Sequence, residues 1–142
     1  MRTVSESAEV GASALSVFDL LATPRQHPVF DGSTSVRGVI EGPHRLFMGA
    51  KFRMSMHLIV PYRTTNEVVE FEEGRAIAWR HFGRHIWRYE IEELGERRCK
   101  VTETFDYSSA RSPLLLELAN APARNRAAIK ATLLNLQLHF DS

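Results

Sequence analysis

Residues 75–94 read RAIAWRHFGRHIWRYEIEEL, and the way this stretch folds back on itself decides the architecture. Apolar and polar residues alternate with period two on both sides of Gly83, the pattern of two half-buried strands joined by a turn. Cross-strand partners point to the same face, so a loop length can be judged by the side chains it brings together. A two-residue loop at 83–84 pairs Trp79 with Arg88 and Arg80 with Trp87, mixing charge and apolar surface on both faces. A three-residue loop at 82–84 pairs Ile77 with Tyr89, Trp79 with Trp87 and His81 with His85, and leaves Ala78, Arg80, Arg88 and Glu90 on the opposite face. The second register separates an aromatic face from a charged one and is the one expected.

Working outward, the same rule at Gly95 favours a loop of 95–97, which matches Ile91 with Val101, Tyr89 with Glu103, Trp87 with Phe105 and His85 with Tyr107. Residues 51–60, KFRMSMHLIV, place Phe52, Met54, Met56, Leu58 and Val60 on one face and Lys51, Arg53, Ser55 and His57 on the other. Further strands are expected at 2–10, 36–41, 64–72 and 99–107, with turns at Gly42-Pro43, Pro61-Tyr62 and Glu73-Gly74. The turn at 73–74 leaves open whether Val68 or Val69 faces inward.

Helical signals sit at the two ends. Ser13 is placed to cap a helix with Ala14, Val17, Phe18 and Leu21 on its apolar side. Thr23-Pro24 reads as a second cap with proline at the first helical position, and Pro28 limits that helix to a turn or two. Ser112-Pro113 begins a short leucine-rich piece, and 122–140 continues as the strongest helix, with Ile129, Leu133, Leu136 and Phe140 on one face.

The 142 residues suit one domain, 1–142, able to bury roughly two thirds of its unfolded surface. A net charge of +1 removes the electrostatic argument for nucleic-acid or anionic-membrane binding. The single cysteine, Cys99, excludes an internal disulfide and a cysteine-rich zinc site, and reads as a semi-buried structural thiol. The N-terminus has no apolar stretch of the signal-peptide kind and no window is apolar enough to span a membrane, so the expectation is a cytoplasmic protein without membrane insertion.

A strand, two short helices, six antiparallel strands and a long closing helix is the order of the helix-grip fold. On Val10 through Phe18, RAIAWRHFGRHIWRYEIEEL, RCKVTETFDYSS and RNRAAIKATLLNLQLHF, the chain resembles the START/Bet v 1-like (SRPBCC) superfamily, in particular its small bacterial polyketide cyclase/dehydrase and lipid-transport members. The resemblance covers essentially the full length. It implies an α+β fold in which a curved seven-stranded antiparallel sheet wraps around the C-terminal helix and leaves a ligand cavity between them.

The residues expected to line that cavity are Met54, Met56, Trp79, Trp87, Tyr89, Phe105, Ile129 and Leu133, a surface suited to a greasy or aromatic guest. Glu103 falls on the same face beside Tyr89. It reads either as a ligand anchor or acid–base group, or as a carboxylate satisfied by Tyr89 or by a helix arginine such as Arg126. His81 and His85 near the hairpin tip read as a polar rim with Tyr107 or as structural residues. No metal is expected, since zinc needs three or four ligands and no third is evident. Gly42–Gly49, GPHRLFMG, reads as a gating loop and carries no nucleotide fingerprint, and no cofactor is expected. Arg80, Arg84 and Arg88 read as solvated, near Glu90 and Glu92.

The leading functional expectation is binding or carriage of a small hydrophobic or aromatic, lipid- or polyketide-like molecule. The second is a cyclase, aromatase or dehydratase using Glu103, Tyr89 and His81 in the same cavity. The third is a protein-interaction module, which requires an exposed apolar patch on the sheet's outer face. Homodimerisation is left open.

Overall fold

A computed structural model describes residues 2–33, 36–57, 61–81 and 84–141, and the side chains at 36, 37, 39, 40, 57 and 61–63 lie outside that description. Strands β1 (Thr3–Val10), β2 (Val36–Glu41), β3 (Lys51–His57), β4 (Pro61–Glu72), β5 (Ala76–His81), β6 (Ile86–Gly95) and β7 (Arg98–Asp106) form one antiparallel sheet. Their order is β1-β7-β6-β5-β4-β3-β2, so each sequential neighbour from β2 to β7 is also a spatial neighbour, and β1 closes on β7.

The expected registers hold in the described strands. Ile77 faces Tyr89 and Trp79 faces Trp87 across β5–β6, and Ile91, Tyr89 and Trp87 face Val101, Glu103 and Phe105 across β6–β7. At the second hairpin a bulge between Glu93 and Gly95 tightens the loop, so Gly95 pairs with Arg98. In β4 a bulge between Val68 and Glu70 settles the open choice: Val68 is buried opposite Trp79. The extra residue switches parity, so Thr64, Asn66 and Val68 point inward before it and Phe71 packs on Phe18 after it.

One turn assignment changes. Pro61 and Tyr62 belong to β4, paired with His57 and Met56, because a proline is tolerated as the first residue of a strand where no ladder N–H is needed. Leu58, Ile59 and Val60 lie outside the described residues, as do Phe82 and Gly83 of the expected hairpin loop.

Helix α1 (Ala14–Leu21) is capped as expected, with the Ser13 hydroxyl accepting from the Ser16 N–H at 3.1 Å. Ser13→Ala is expected to cost about 1 kcal/mol in chemical denaturation, the usual worth of such a cap. Thr23 makes no cap hydrogen bond and instead donates to the Asp19 carbonyl at 2.7 Å. A 3-10 turn (Pro24–Gln26) runs into α2 (His27–Phe30), where Pro28 sits in the first turn and starts that helix instead of ending it. The C-terminal pair is α3 (Pro113–Leu118) and α4 (Ala121–Asp141). Ile129, Leu133 and Leu136 are buried from α4, which packs on β1 and β7 and is touched by α2.

The segment expected to gate is strapped down. Leu46 is buried, its N–H donates to the Ala22 carbonyl at 2.7 Å, and Gly49 N–H donates to Val68 at 3.0 Å. Arg45 holds Asp19 at 2.7 Å and Glu73 at 2.6 Å while its guanidinium lies over Phe18. On the sheet's outer face Arg88 grips Glu70 through two bonds of 2.7 and 3.1 Å, and Arg80 pairs with Glu67 at 3.2 Å, so these arginines are ion-paired as well as solvated. Cys99 is fully buried, and burial pushes its thiol up, which keeps it unreactive.

Candidate functional site

Between the inner sheet face and α4 lies a cavity of about 310 Å³. Seven strand positions expected from sequence line it: Met54 and Met56 from β3, Trp79 and His81 from β5, Trp87 and Tyr89 from β6, and Glu103 from β7. His85 and Ile129 line it as well. Phe105 and Leu133 do not. Phe105 is buried among Trp87, His85 and Tyr107, and Leu133 sits one turn beyond Ile129 in the core, because side-chain parity identifies a face without saying where along the strand or helix the packing opens.

The cavity has a second wall that the sequence reading missed. His27, Phe30, Asp31 and Ser33 come from α2 and the turn after it, Phe52, Thr64 and Asn66 from β3 and β4, and Asn125, Ala128 and Thr132 from α4. The signal for Thr64 and Asn66 was present in their spacing from Val68 but hidden by the bulge. The signal for His27 was a polar residue among Pro24, Pro28 and Phe30 in a segment too short to show periodicity.

Three ties hold the turn after α2 over the cavity. Gly32 N–H donates to the Thr132 hydroxyl at 2.8 Å, and Asn135 donates to the Phe30 carbonyl at 3.2 Å. The Ser33 hydroxyl is 2.8 Å from the Asp31 carboxylate. Gly32 also lies so close to α4 that a Cβ there would meet the Ala128 carbonyl oxygen and the Thr132 nitrogen at 2.4 Å.

His27 is buried, stacks on Trp79 with ring centres 4.9 Å apart, and has its Nε2 2.9 Å from the Leu21 carbonyl. A carbonyl only accepts, so the proton sits on Nε2 and Nδ1 is left as an acceptor. Burial lowers the pKa of His27 to about 4, which makes the ring neutral at pH 7. His81 stacks on His85 at 4.6 Å, and burial together with the neighbouring imidazole lowers His81 to about 4 as well. Tyr107 does not join them at a rim; its hydroxyl donates to Glu117 at 2.9 Å.

Glu103 is the buried acid of the site, 3% exposed. Burial raises its pKa to about 8, against a hydrogen bond from Tyr89 that lowers it, with the nearby Asp31 adding to the rise. Tyr89 is raised well above its ordinary value by burial first and then by the neighbouring Glu103. Arg126 is not its partner: that guanidinium reaches Glu6 on the adjacent strand at 2.5 Å, where Lys130 also approaches. Glu6 and Glu103 face one another across β1–β7, so Glu6 takes both helix cations and Glu103 gets none. Among the described residues Glu103 Oε1 has no hydrogen-bond partner.

Among the described residues no group of three or more His, Cys, Asp or Glu side chains is placed to hold a metal ion. No helix among them is long and apolar enough to cross a membrane. Among the described residues the large exposed apolar side chains are Leu15 on α1, Val29 on α2, Leu114, Leu115 and Leu118 on α3, Leu134 and Leu138 on α4, Phe47 and Met48 between β2 and β3, and Leu94 alone on the sheet. A second, more open hollow on the outer side of the sheet gathers Lys51, Arg80, Arg84 and Arg111 and shares Asn66 and His81 with the cavity wall.

The same fold recurs in solved structures. The chain overlays protein Ms6760 from Mycobacterium smegmatis with a TM-score of 0.70 at 18% identity, covering 97% of this chain and 92% of that one. It overlays the di-domain ARO/CYC BexL of the BE-7585A biosynthetic pathway with a TM-score of 0.74 at 16% identity, covering all of this chain and 48% of that one. In sequence it is 40% identical over 138 residues to the uncharacterized protein Rv0088 of Mycobacterium tuberculosis, covering 94% of this chain. It spans 62% of the length of that relative. The profile of a family described as polyketide cyclase / dehydrase and lipid transport matches residues 1–141. With the helix-grip sheet, the long closing helix and this match in hand, the chain belongs to that family of the START/Bet v 1-like superfamily.

Proposed function

We propose that the protein binds a small hydrophobic or aromatic molecule in the cavity between the sheet and α4. The observation that carries this reading is the cavity itself: about 310 Å³, walled by Phe30, Phe52, Trp79, Trp87 and Tyr89 with Met54 and Met56, and supplied with a few buried polar groups. That volume stands at the small end of the usual range for ligand sites, roughly 300–1,000 Å³, and suits a compact ring system better than a long acyl chain. Flat rings stack on the aromatic walls, and the two methionines adapt to the outline of the guest.

Trp79 stands in the wall, so its emission reports occupancy. Titration with a flat apolar probe such as 2-acetylnaphthalene is expected to quench tryptophan fluorescence saturably. Ala128→Phe, which puts a ring into the cavity from α4, is expected to weaken binding by at least about tenfold with the far-UV spectrum unchanged. Equal quenching of both proteins would place the probe elsewhere and remove the reading.

One observation favours a second reading. Glu103, Tyr89 and His81, the three groups named for acid–base work, all line this one cavity, with neutral His27 beside them. An acid with a pKa of about 8 is poised to give and take protons near neutrality. A cyclase or dehydratase would use Glu103 as the proton donor and His27 Nδ1 as the acceptor. Under that reading Glu103→Gln retains binding and loses turnover of a polyketide-like substrate. A variant with wild-type turnover removes Glu103 from the chemistry.

A further inference from the structure

The occupant's polarity can be read from the acid at the back of the cavity, an argument that rests on the binding reading above. Tyr89 is hydrogen-bonded to the Glu103 carboxyl, and among the described residues nothing meets its Oε1, which is buried in the cavity wall. A buried polar atom left unmet is costly, so a guest that satisfies it gains selectivity of about tenfold or more. The described lining residues include no lysine or arginine, while Asp31 and Glu103 both face the space. Among the described residues such a pocket offers a carboxylate no counter-charge. The nearest cations on α4, Arg126 and Lys130, are spent on Glu6.

We infer that Glu103 selects the ligand: its unpaired Oε1 donates to a neutral carbonyl-type oxygen on an aromatic guest, and the cavity turns away carboxylates, free fatty acids among them. A neutral carboxylic acid carries one proton, and on Oε1, the oxygen left without a partner among the described residues, that proton makes the atom a donor. His27 supplies the converse, an acceptor at Nδ1, because its Nε2–H is committed to Leu21. The preferred guest therefore pairs a carbonyl acceptor with a hydroxyl donor on a flat apolar frame.

The titratable and charged groups around Glu103 come from each neighbouring element. They are Tyr89 on β6, Asp31 after α2, His27 on α2, and Glu6 on β1 with its α4 partners Arg126 and Lys130. His81 and His85, at the hairpin end of the same cavity, are neutral through burial. As pH rises through about 8, Glu103 loses the proton it donates, and the preference for a carbonyl disappears.

A series built on one ring tests this: 2-acetylnaphthalene, 2-ethylnaphthalene, 2-naphthoate and 2-(aminomethyl)naphthalene, titrated by tryptophan fluorescence at pH 6.5 and 9. At pH 6.5 the ketone is expected to bind about tenfold or more tighter than the ethyl compound, and the naphthoate weakest of the four. Raising the pH to 9 is expected to bring the ketone down to the ethyl level. Glu103→Leu abolishes the ketone's advantage at both pH values, whereas Glu103→Gln, whose amide N–H can donate, keeps it and removes the pH dependence. Equal binding of ketone and ethyl compound would leave the binding reading standing and overturn the role of Glu103. Tightest binding by the naphthoate would overturn the charge argument, and tightest binding by the amine would overturn the preference for a neutral carbonyl. No binding by any of the four would overturn both.

Discussion

Gly32→Ala is expected to lower stability by about 3 kcal/mol and to open the wall that α2 builds over the cavity. The turn carrying Asp31 and Ser33 rests on α4 through Gly32, whose missing side chain is what allows the contact. A methyl group there meets the Ala128 carbonyl oxygen and the Thr132 nitrogen at 2.4 Å and the Ala131 Cβ at 2.6 Å. Two of the three are backbone atoms of a 21-residue helix, which cannot step aside as a flexible side chain could. The turn must lift, and it gives up the 2.8 Å bond from Gly32 N–H to Thr132 as it does so. At about 2–4 °C per kcal/mol for a chain of this size, Tm is expected to fall by about 6–12 °C. Gly38→Ala is the control, because nothing lies within 4 Å of a Cβ at that position. If the two variants melt together, the packing of the turn against α4 is not what holds it.

Glu103→Gln is expected to stabilise the protein by about 3 kcal/mol at pH 7 and not at all at pH 4. The folded state holds the Glu103 proton up to about pH 8, whereas the unfolded chain releases it near 4.5. Between those values the folded state binds more protons than the unfolded one, so stability is fully present below pH 4.5 and falls as pH rises toward 8. Glutamine has the same outline, keeps a partner for Tyr89 and carries no charge to bury. The wild-type curve also contains His27 and His81, whose lowered pKa values make stability rise with pH between about 4 and 6.5. These oppose Glu103 over part of the range, so the informative quantity is the difference between variant and wild type in urea denaturation at pH 4, 6 and 8. A difference that does not change with pH would mean that Glu103 titrates as an ordinary surface acid.

Much of the fold was legible from residue alternation. The segregation of Trp79, Trp87 and Tyr89 from Arg80, Arg88 and Glu90 allowed a single hairpin register, and the next hairpin followed from it. Ile129, Leu133 and Leu136 declared the buried face of α4 in the same way. Legibility failed where geometry departs from a repeat. The bulge at Val69 switches parity within β4, and Thr64 and Asn66 went unrecognised as a result. The turn Asp31–Ser33 has no period at all, and its place on α4 depends on the absence of a side chain at Gly32. Glu103 was identified as the odd residue on an apolar face, but its lack of a cation was not, because the competition from Glu6 for Arg126 appears only once β1 lies beside β7. Phe105 and Leu133 show the converse limit. They share the right face yet pack into solid core, since alternation describes direction and says nothing of depth.

The central claim is that the space between the sheet and α4 receives a small apolar molecule, and chemical-shift mapping tests it most directly. On titrating 15N-labelled protein with 2-acetylnaphthalene, the account predicts saturable shifts in the Trp79 indole and in the amides of His27, Asp31, Gly32, Asn66, Tyr89, Glu103 and Thr132, with the charged strand face around Glu70 and Arg88 unmoved. Shifts confined to that outer face, or to the exposed leucines of α3 and α4, would contradict it.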